Sequence, residues 1–71
     1  MKLDELRNIF TYHPPTGDQV IRYQNIRDAA LAFAYVVETS CPDSADKSAA
    51  IRKLRECVMT ANASIALENG K

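Results

Sequence analysis

Two stretches of this chain repeat apolar residues at alternating steps of three and four, and a proline separates them. The first runs Tyr23, Ile26, Ala30, Phe33, Val37; the second runs Ile51, Leu54, Val58, Ala61, Ile65; Pro42 stands between. That spacing is the seam of a coiled-coil-like helix, not the period-two alternation of a strand. Each helix comes to about 22 residues, or ~33 Å at 1.5 Å per residue. Equal helices joined by a short loop form an antiparallel hairpin, so the chain is expected to be all-α.

One hairpin does not use all the apolar surface. Ala29, Leu31, Ala32, Ala34, Tyr35 and Val36 add oily side chains on the other faces of the first long helix. A helix apolar nearly all round must be covered nearly all round, which two helices cannot do for each other. Further copies of the chain are therefore expected. Alanines on both helices (Ala29, Ala30, Ala32 and Ala34 against Ala61, Ala63 and Ala66) favour close backbone approach, although helix propensity alone also favours alanine.

The flanks set the boundaries. Leu3, Leu6, Ile9 and Phe10 give a short helix over about 2–10, too short to stand without support. The connector over 11–16 contains Pro14-Pro15, which fixes an extended or turned path. Thr16 with Gln19 three residues later is a capping-box pattern, with Asp18 suited to the first turn, so the first long helix is expected over about 17–39. A turn over 40–43 follows, then a second long helix over about 44–68, with Ser44 or Asp43 as its cap, Asp46 in its first turn and Gly70 behind Asn69 as its stop. The whole of 1–71 reads as one domain.

Composition excludes several function classes. With 46% hydrophobic residues the chain is not disordered. Nine basic and nine acidic residues cancel, which argues against a general DNA or RNA binder but not against a small anion held by two or three cations. No apolar leader follows Met1-Lys2, and the longest apolar run, Ala29 to Val37, is too short for a bilayer; a cytoplasmic protein with no membrane partner is expected. Cys41 in the turn and Cys57 well into the second helix would lie roughly 20 Å apart. A disulfide needs under about 7 Å, so free thiols are expected. One histidine and two distant cysteines build no metal site, and no glycine-rich loop or nucleophile–base pair is present. The chain reads as a binder, not an enzyme, with no cofactor and no metal.

Three places could hold a ligand. Phe10-Thr11-Tyr12-His13-Pro14-Pro15 sets aromatic rings, Tyr12 and His13 among them, on a stiff connector, a stacking platform whose pose costs little entropy. Taken by themselves these residues fit better as a strap packing the first helix on the hairpin. Arg22 and Arg27 are guanidinium groups, and Arg27 sits at the edge of the seam, where it could grip a phosphate at a subunit boundary. Spacing alone favours an edge salt bridge to Asp28, Glu56 or a neighbouring chain. Asn62, a poor helix former inside the second helix, could make an interfacial hydrogen bond or contact a base; a solvated asparagine fits equally well. Arg52, Lys53 and Arg55 form a denser basic group that reads as a solvated face.

Four blocks together resemble a known family: Phe10 to Thr16, Tyr23-Gln24-Asn25-Ile26-Arg27, Cys41-Pro42-Asp43-Ser44, and Val58 to Ala66. In this order they are similar to the helical-hairpin domain of phage anti-CBASS and Thoeris anti-defence proteins. The resemblance implies a non-catalytic homohexamer that sequesters cyclic dinucleotides, cyclic trinucleotides or cyclic ADP-ribose-type signals in the host cytoplasm and so blocks anti-phage defence. It implies pockets between protomers, with Tyr12 stacking on a base and Arg27 on the phosphates, which tips both residues from their plainer readings to ligand binding. Two positions depart from the Thoeris branch: Thr60 stands where an aromatic often precedes the Ala-Asn-Ala block, and Leu67 where an Arg follows Ile-Ala. The rival expectation is a homo-oligomeric helical scaffold or protein-binding inhibitor without a nucleotide ligand. A helix-turn-helix DNA binder fits less well, for lack of a basic recognition helix.

Overall fold

A computed structural model describes residues 2–68, and among them it contains three α-helices and no strand: α1 (Leu3–Ile9), α2 (Gln19–Ser40) and α3 (Ala45–Ala66). Helices α2 and α3 pair antiparallel, the start of α2 meeting the end of α3, while α1 packs on neither. Among the described residues, this helix of seven residues thus gains no support from either long helix.

Local chemistry explains where the helices begin and end. The expected start near residue 17 is corrected to Gln19, because Gly17 takes a φ of +56°, a left-handed value that interrupts helical winding. Only half of the expected capping box forms. The Gln19 side chain accepts from the Thr16 backbone N–H at 2.9 Å, but the Thr16 hydroxyl caps no helical amide and faces the same oxygen at 3.5 Å. At the other end, Pro42 holds Cys41 extended (φ −108°, ψ 139°), and α2 stops. Of the two candidate caps for α3 it is Ser44 that acts, its Oγ accepting from the Lys47 N–H at 3.1 Å, with Asp46 in the first turn. Helix α3 ends at Ala66, two residues before the expected limit, in a turn closed by Leu67 N–H to Ala63 O and Glu68 N–H to Ile65 O. The stop expected at Gly70 lies outside the described residues.

The seam on α3 is shielded along its whole length: Ile51, Leu54, Val58 and Ala61 are half-buried and Ile65 is buried. On α2 one position is corrected. Phe33 stays 56% exposed, and Ala34 faces the partner helix instead. A straight helix advances 3.6 residues per turn, so a strict heptad drifts off the contact line, and an alanine fits where a phenyl ring would hold the helices apart. Ala30, Ala34 and Ala61 line this close approach, whereas Ala29, Ala32 and Ala63 point away from it.

Burial concentrates at the two ends of the hairpin, at Gln19 and Ile65 and at Val37 and Lys47; between them the helices leave an apolar groove of about 360 Å³. Ala30, Leu31, Ala34, Leu54, Val58 and Met59 line it. The accessible surface is 5639 Å². A compact monomer of 7.9 kDa exposes about 4,400 Å². The radius of gyration, 15.3 Å, likewise exceeds the about 11 Å of a compact chain this long. A single copy is under-covered.

Candidate functional site

The open end of the hairpin, where residues 11–16 join α2, is held by a polar clasp. Gln19 is 4% exposed, the lowest value among the described residues. It occupies the place one step before Tyr23 on the seam, so its side chain must enter the helix interface. There its Nε2 donates to the Ile65 carbonyl at 2.9 Å and to Glu68 Oε2 at 3.0 Å. Arg22 closes the clasp from outside: its Nε pairs with Asp18 Oδ1 at 3.1 Å, and its terminal nitrogens pair with the Glu68 carboxylate. The hydrogen bond from Arg22, then that from Gln19, holds the Glu68 carboxyl below its ordinary range. The same pairing with Glu68 raises Arg22 above its ordinary range. Arg22 is therefore occupied by two carboxylates.

Residues 2–16 form an arm that is braced on itself. The Thr11 hydroxyl donates to the Arg7 carbonyl, and His13 Nε2 lies 2.7 Å from the Asn8 carbonyl, so that nitrogen carries the proton and donates. His13 is half-buried by this fold-back. Tyr12 points the other way, 79% exposed, and Phe10 is 84% exposed. The strap reading of these aromatics is not what the arm does within one chain, since α1 makes no packing contact with the hairpin.

Arg27 is exposed on α2, and among the described residues no ion pair or hydrogen bond engages it, neither with Asp28 nor with Glu56. Asp28 instead accepts from Gln24 at 2.8 Å. Asn62 is half-buried, and its Oδ1 is shut away from solvent with no donor among the described residues. An acceptor left in that state costs about 1–3 kcal/mol. Arg52, Lys53 and Arg55 are exposed. The apolar groove takes in none of Tyr12, Arg27 and Asn62.

Three residues that matter here drew no attention as site residues in the sequence. In the sequence Gln19 stands out only as half of a cap, and Glu68 and Lys47 carry no motif. Lys47, 9% exposed, is gripped by Asp43 at 3.0 Å and Glu38 at 3.2 Å at the turn end. A signal existed for two of them. Extending each seam back by one step of four, from Tyr23 to Gln19 and from Ile51 to Lys47, puts a polar residue on a buried line. Glu68 had no such signal, because its role depends on where α3 ends.

Cys41 and Cys57 are both free and exposed. Among the described residues no group of three His, Cys, Asp or Glu side chains is placed to hold a metal ion, and no helix is long and apolar enough to cross a membrane.

The fold and its ends define a class: a helical hairpin with an aromatic arm whose helix packs on neither long helix, an uncommitted arginine and more apolar surface than it covers. The chain belongs to the Acb2/Tad1 hairpin-domain family, whose family model matches residues 2–66. Comparison with curated proteins and with solved structures finds no match.

Proposed function

We propose that this chain is a non-catalytic sponge for cyclic oligonucleotide or cyclic ADP-ribose-type immune signals, acting in the host cytoplasm to block anti-phage defence. The observation that carries this reading is the family match over residues 2–66, which takes in Tyr12 and Arg27, both exposed and free of partners among the described residues. A stacking ring and a guanidinium are the two groups a cyclic nucleotide requires: the base has a π-face, and the phosphate accepts a bidentate donor. The under-covered surface supports assembly into a homo-oligomer, a hexamer by the family resemblance, with the pockets between copies. No DNA, membrane, cofactor or metal is needed for this activity.

The other candidates take supporting places. His13 keeps the arm folded beside Tyr12. Arg22 can reach a phosphate only by exchanging the Glu68 carboxylate for it, a swap of one anion for another. Asn62 offers a buried acceptor that a base amino group or a neighbouring chain would satisfy.

Calorimetry with a panel of cyclic dinucleotides and trinucleotides tests the reading. Tyr12→Ala and Arg27→Ala should each weaken binding by about tenfold or more, as 1.4 kcal/mol is tenfold, while sedimentation shows the assembly intact. Undiminished affinity in either variant removes that residue from the pocket. The apolar groove favours one second reading, a homo-oligomeric scaffold or protein-binding inhibitor. Under it no cyclic nucleotide would shift the melting temperature, whereas a ligand specific for the folded state must raise it.

A further inference from the structure

The arm that carries Tyr12 is fastened to the hairpin through one residue. Among the described residues, every hydrogen bond between residues 2–16 and the hairpin is made by Gln19. Its Oε1 accepts from the Thr16 N–H at 2.9 Å and faces the Thr16 hydroxyl at 3.5 Å, and its own N–H donates to the Thr16 carbonyl at 3.0 Å. The amide nitrogen of the same side chain holds the end of α3, at Ile65 and Glu68. Helix α1 makes no competing contact, since it packs on neither long helix.

Rigidity on both sides makes the joint decisive. The arm is stiffened by Pro14-Pro15 and by the hydrogen bonds of Thr11 and His13 to α1, so it moves as a piece. The turn at Gly17 is the joint between arm and helix, with open space around it and a φ of +56°. Arg27 lies eight residues beyond Gln19 on the same helix, about 12 Å along its axis. The separation and angle between Tyr12 and Arg27 are thus set where Gln19 bridges Thr16 to α3.

We infer that Gln19 is a positioning residue for ligand binding: it fixes the aromatic arm against the hairpin and so presets the distance between the stacking ring and the phosphate-binding arginine. The ligand half of this inference rests on the sponge reading above; the arm half does not. A neutral amide suits the task because it offers an acceptor toward Thr16 and a donor toward Ile65 and Glu68 at once, in a place too buried for a lone charge.

Amide 15N relaxation on the full chain, wild type against Gln19→Met, reads the arm directly. Methionine keeps the length and apolar bulk of the side chain and the backbone bond to the Thr16 carbonyl, but none of the side-chain hydrogen bonds. The wild-type arm, residues 4–13, should tumble with the hairpin; in Gln19→Met its heteronuclear NOE should fall while that of residues 23–37 holds. An arm equally ordered in both overturns the inference. Should Gln19→Met not fold, Gln19→Asn, one methylene too short to reach both partners, is read the same way. Glu68→Gln separates positioning from general loosening, since it weakens the pairing with Arg22 and leaves the Gln19 bonds to Thr16 in place. It should lower the melting temperature yet leave the arm ordered; an arm freed in this variant as well overturns the inference. In calorimetry with the cyclic dinucleotide panel, Gln19→Met should bind about tenfold more weakly, which is 1.4 kcal/mol, and should cost nothing further in a Tyr12→Ala background, because the two act as a unit. Full affinity in Gln19→Met, or an additive loss in the double variant, counts against it. A wild-type protein that binds no cyclic nucleotide sinks the sponge reading alone, and the relaxation comparison still decides the arm.

Discussion

The two ends of the hairpin solve the same problem with different chemistry. At the turn end the chain itself joins α2 to α3, and a buried lysine, Lys47, reaches the exposed carboxylates of Asp43 and Glu38. At the open end nothing covalent holds the helices, and a buried neutral amide, Gln19, is hydrogen-bonded at both of its polar atoms. A turn tolerates a salt bridge that adds little, because closure is already ensured by the short loop. An open end depends on every contact it has. That difference teaches where the molecule can give: at the end that bears the arm.

Side-chain truncation is the strongest way to break the contrast. Ile65→Ala at the open end should cost about 3 kcal/mol, by lost burial and the cavity left behind. For a chain this size that lowers Tm on the order of 15 °C. Val37→Ala at the turn end should cost about 1.5 kcal/mol, as two methyl groups are lost. Thermal melts at one protein concentration check the order, and a larger effect from Val37 would reverse the comparison.

Backbone and cap changes come next. Gly17→Ala should destabilise by about 1 kcal/mol through its left-handed φ alone, since an added Cβ meets nothing within 4 Å. Ser44→Ala, which removes the α3 cap, should also cost about 1 kcal/mol. The two should differ in hydrogen exchange, with Gly17→Ala loosening residues 11–20 and Ser44→Ala loosening residues 44–48.

Acid should act on the open end through Glu68. Its carboxyl is lowered in the folded state, so the stability it contributes is present above its ordinary value of 4.5 and is lost as pH falls through the lower folded value. Amides of the first turn of α2 and the last turn of α3 should exchange faster there, and Glu68→Gln should flatten that part of the profile. The smallest effect is expected from Lys47→Met. Asp43 and Glu38 remain solvated without the lysine, and an apolar chain fills the same buried path, so Tm should change little. A large drop would show that the turn end needs its ion pairs after all.

Much of the hairpin was legible because periodicity reports which face of a helix is covered. The lines through Ile26 and Ala30 and through Ile51, Leu54 and Val58 are in the sequence as spacing, and Pro42 and Ser44 mark the turn by their own backbone chemistry. Phe33 was misplaced because a heptad count ignores the drift of a 3.6-residue helix, and only packing decides whether a ring or a methyl group meets the partner. For the candidate site, Tyr12 and Arg27 could be picked out as a stacking ring and a phosphate donor, but not their freedom from partners. That freedom depends on the arm folding back through His13 and on Gln24 drawing Asp28 away from its neighbours.

By itself the sequence determined two apolar stripes, their length, the break between them and a surplus of oily surface, since these follow from residue type and chain geometry alone. Tertiary structure decided the rest. How the Gln19 amide reaches α3 and how Glu68 captures Arg22 depend on contacts 46 or more residues apart. Local propensity carries no information about partners that distant, because they meet only after the hairpin has closed.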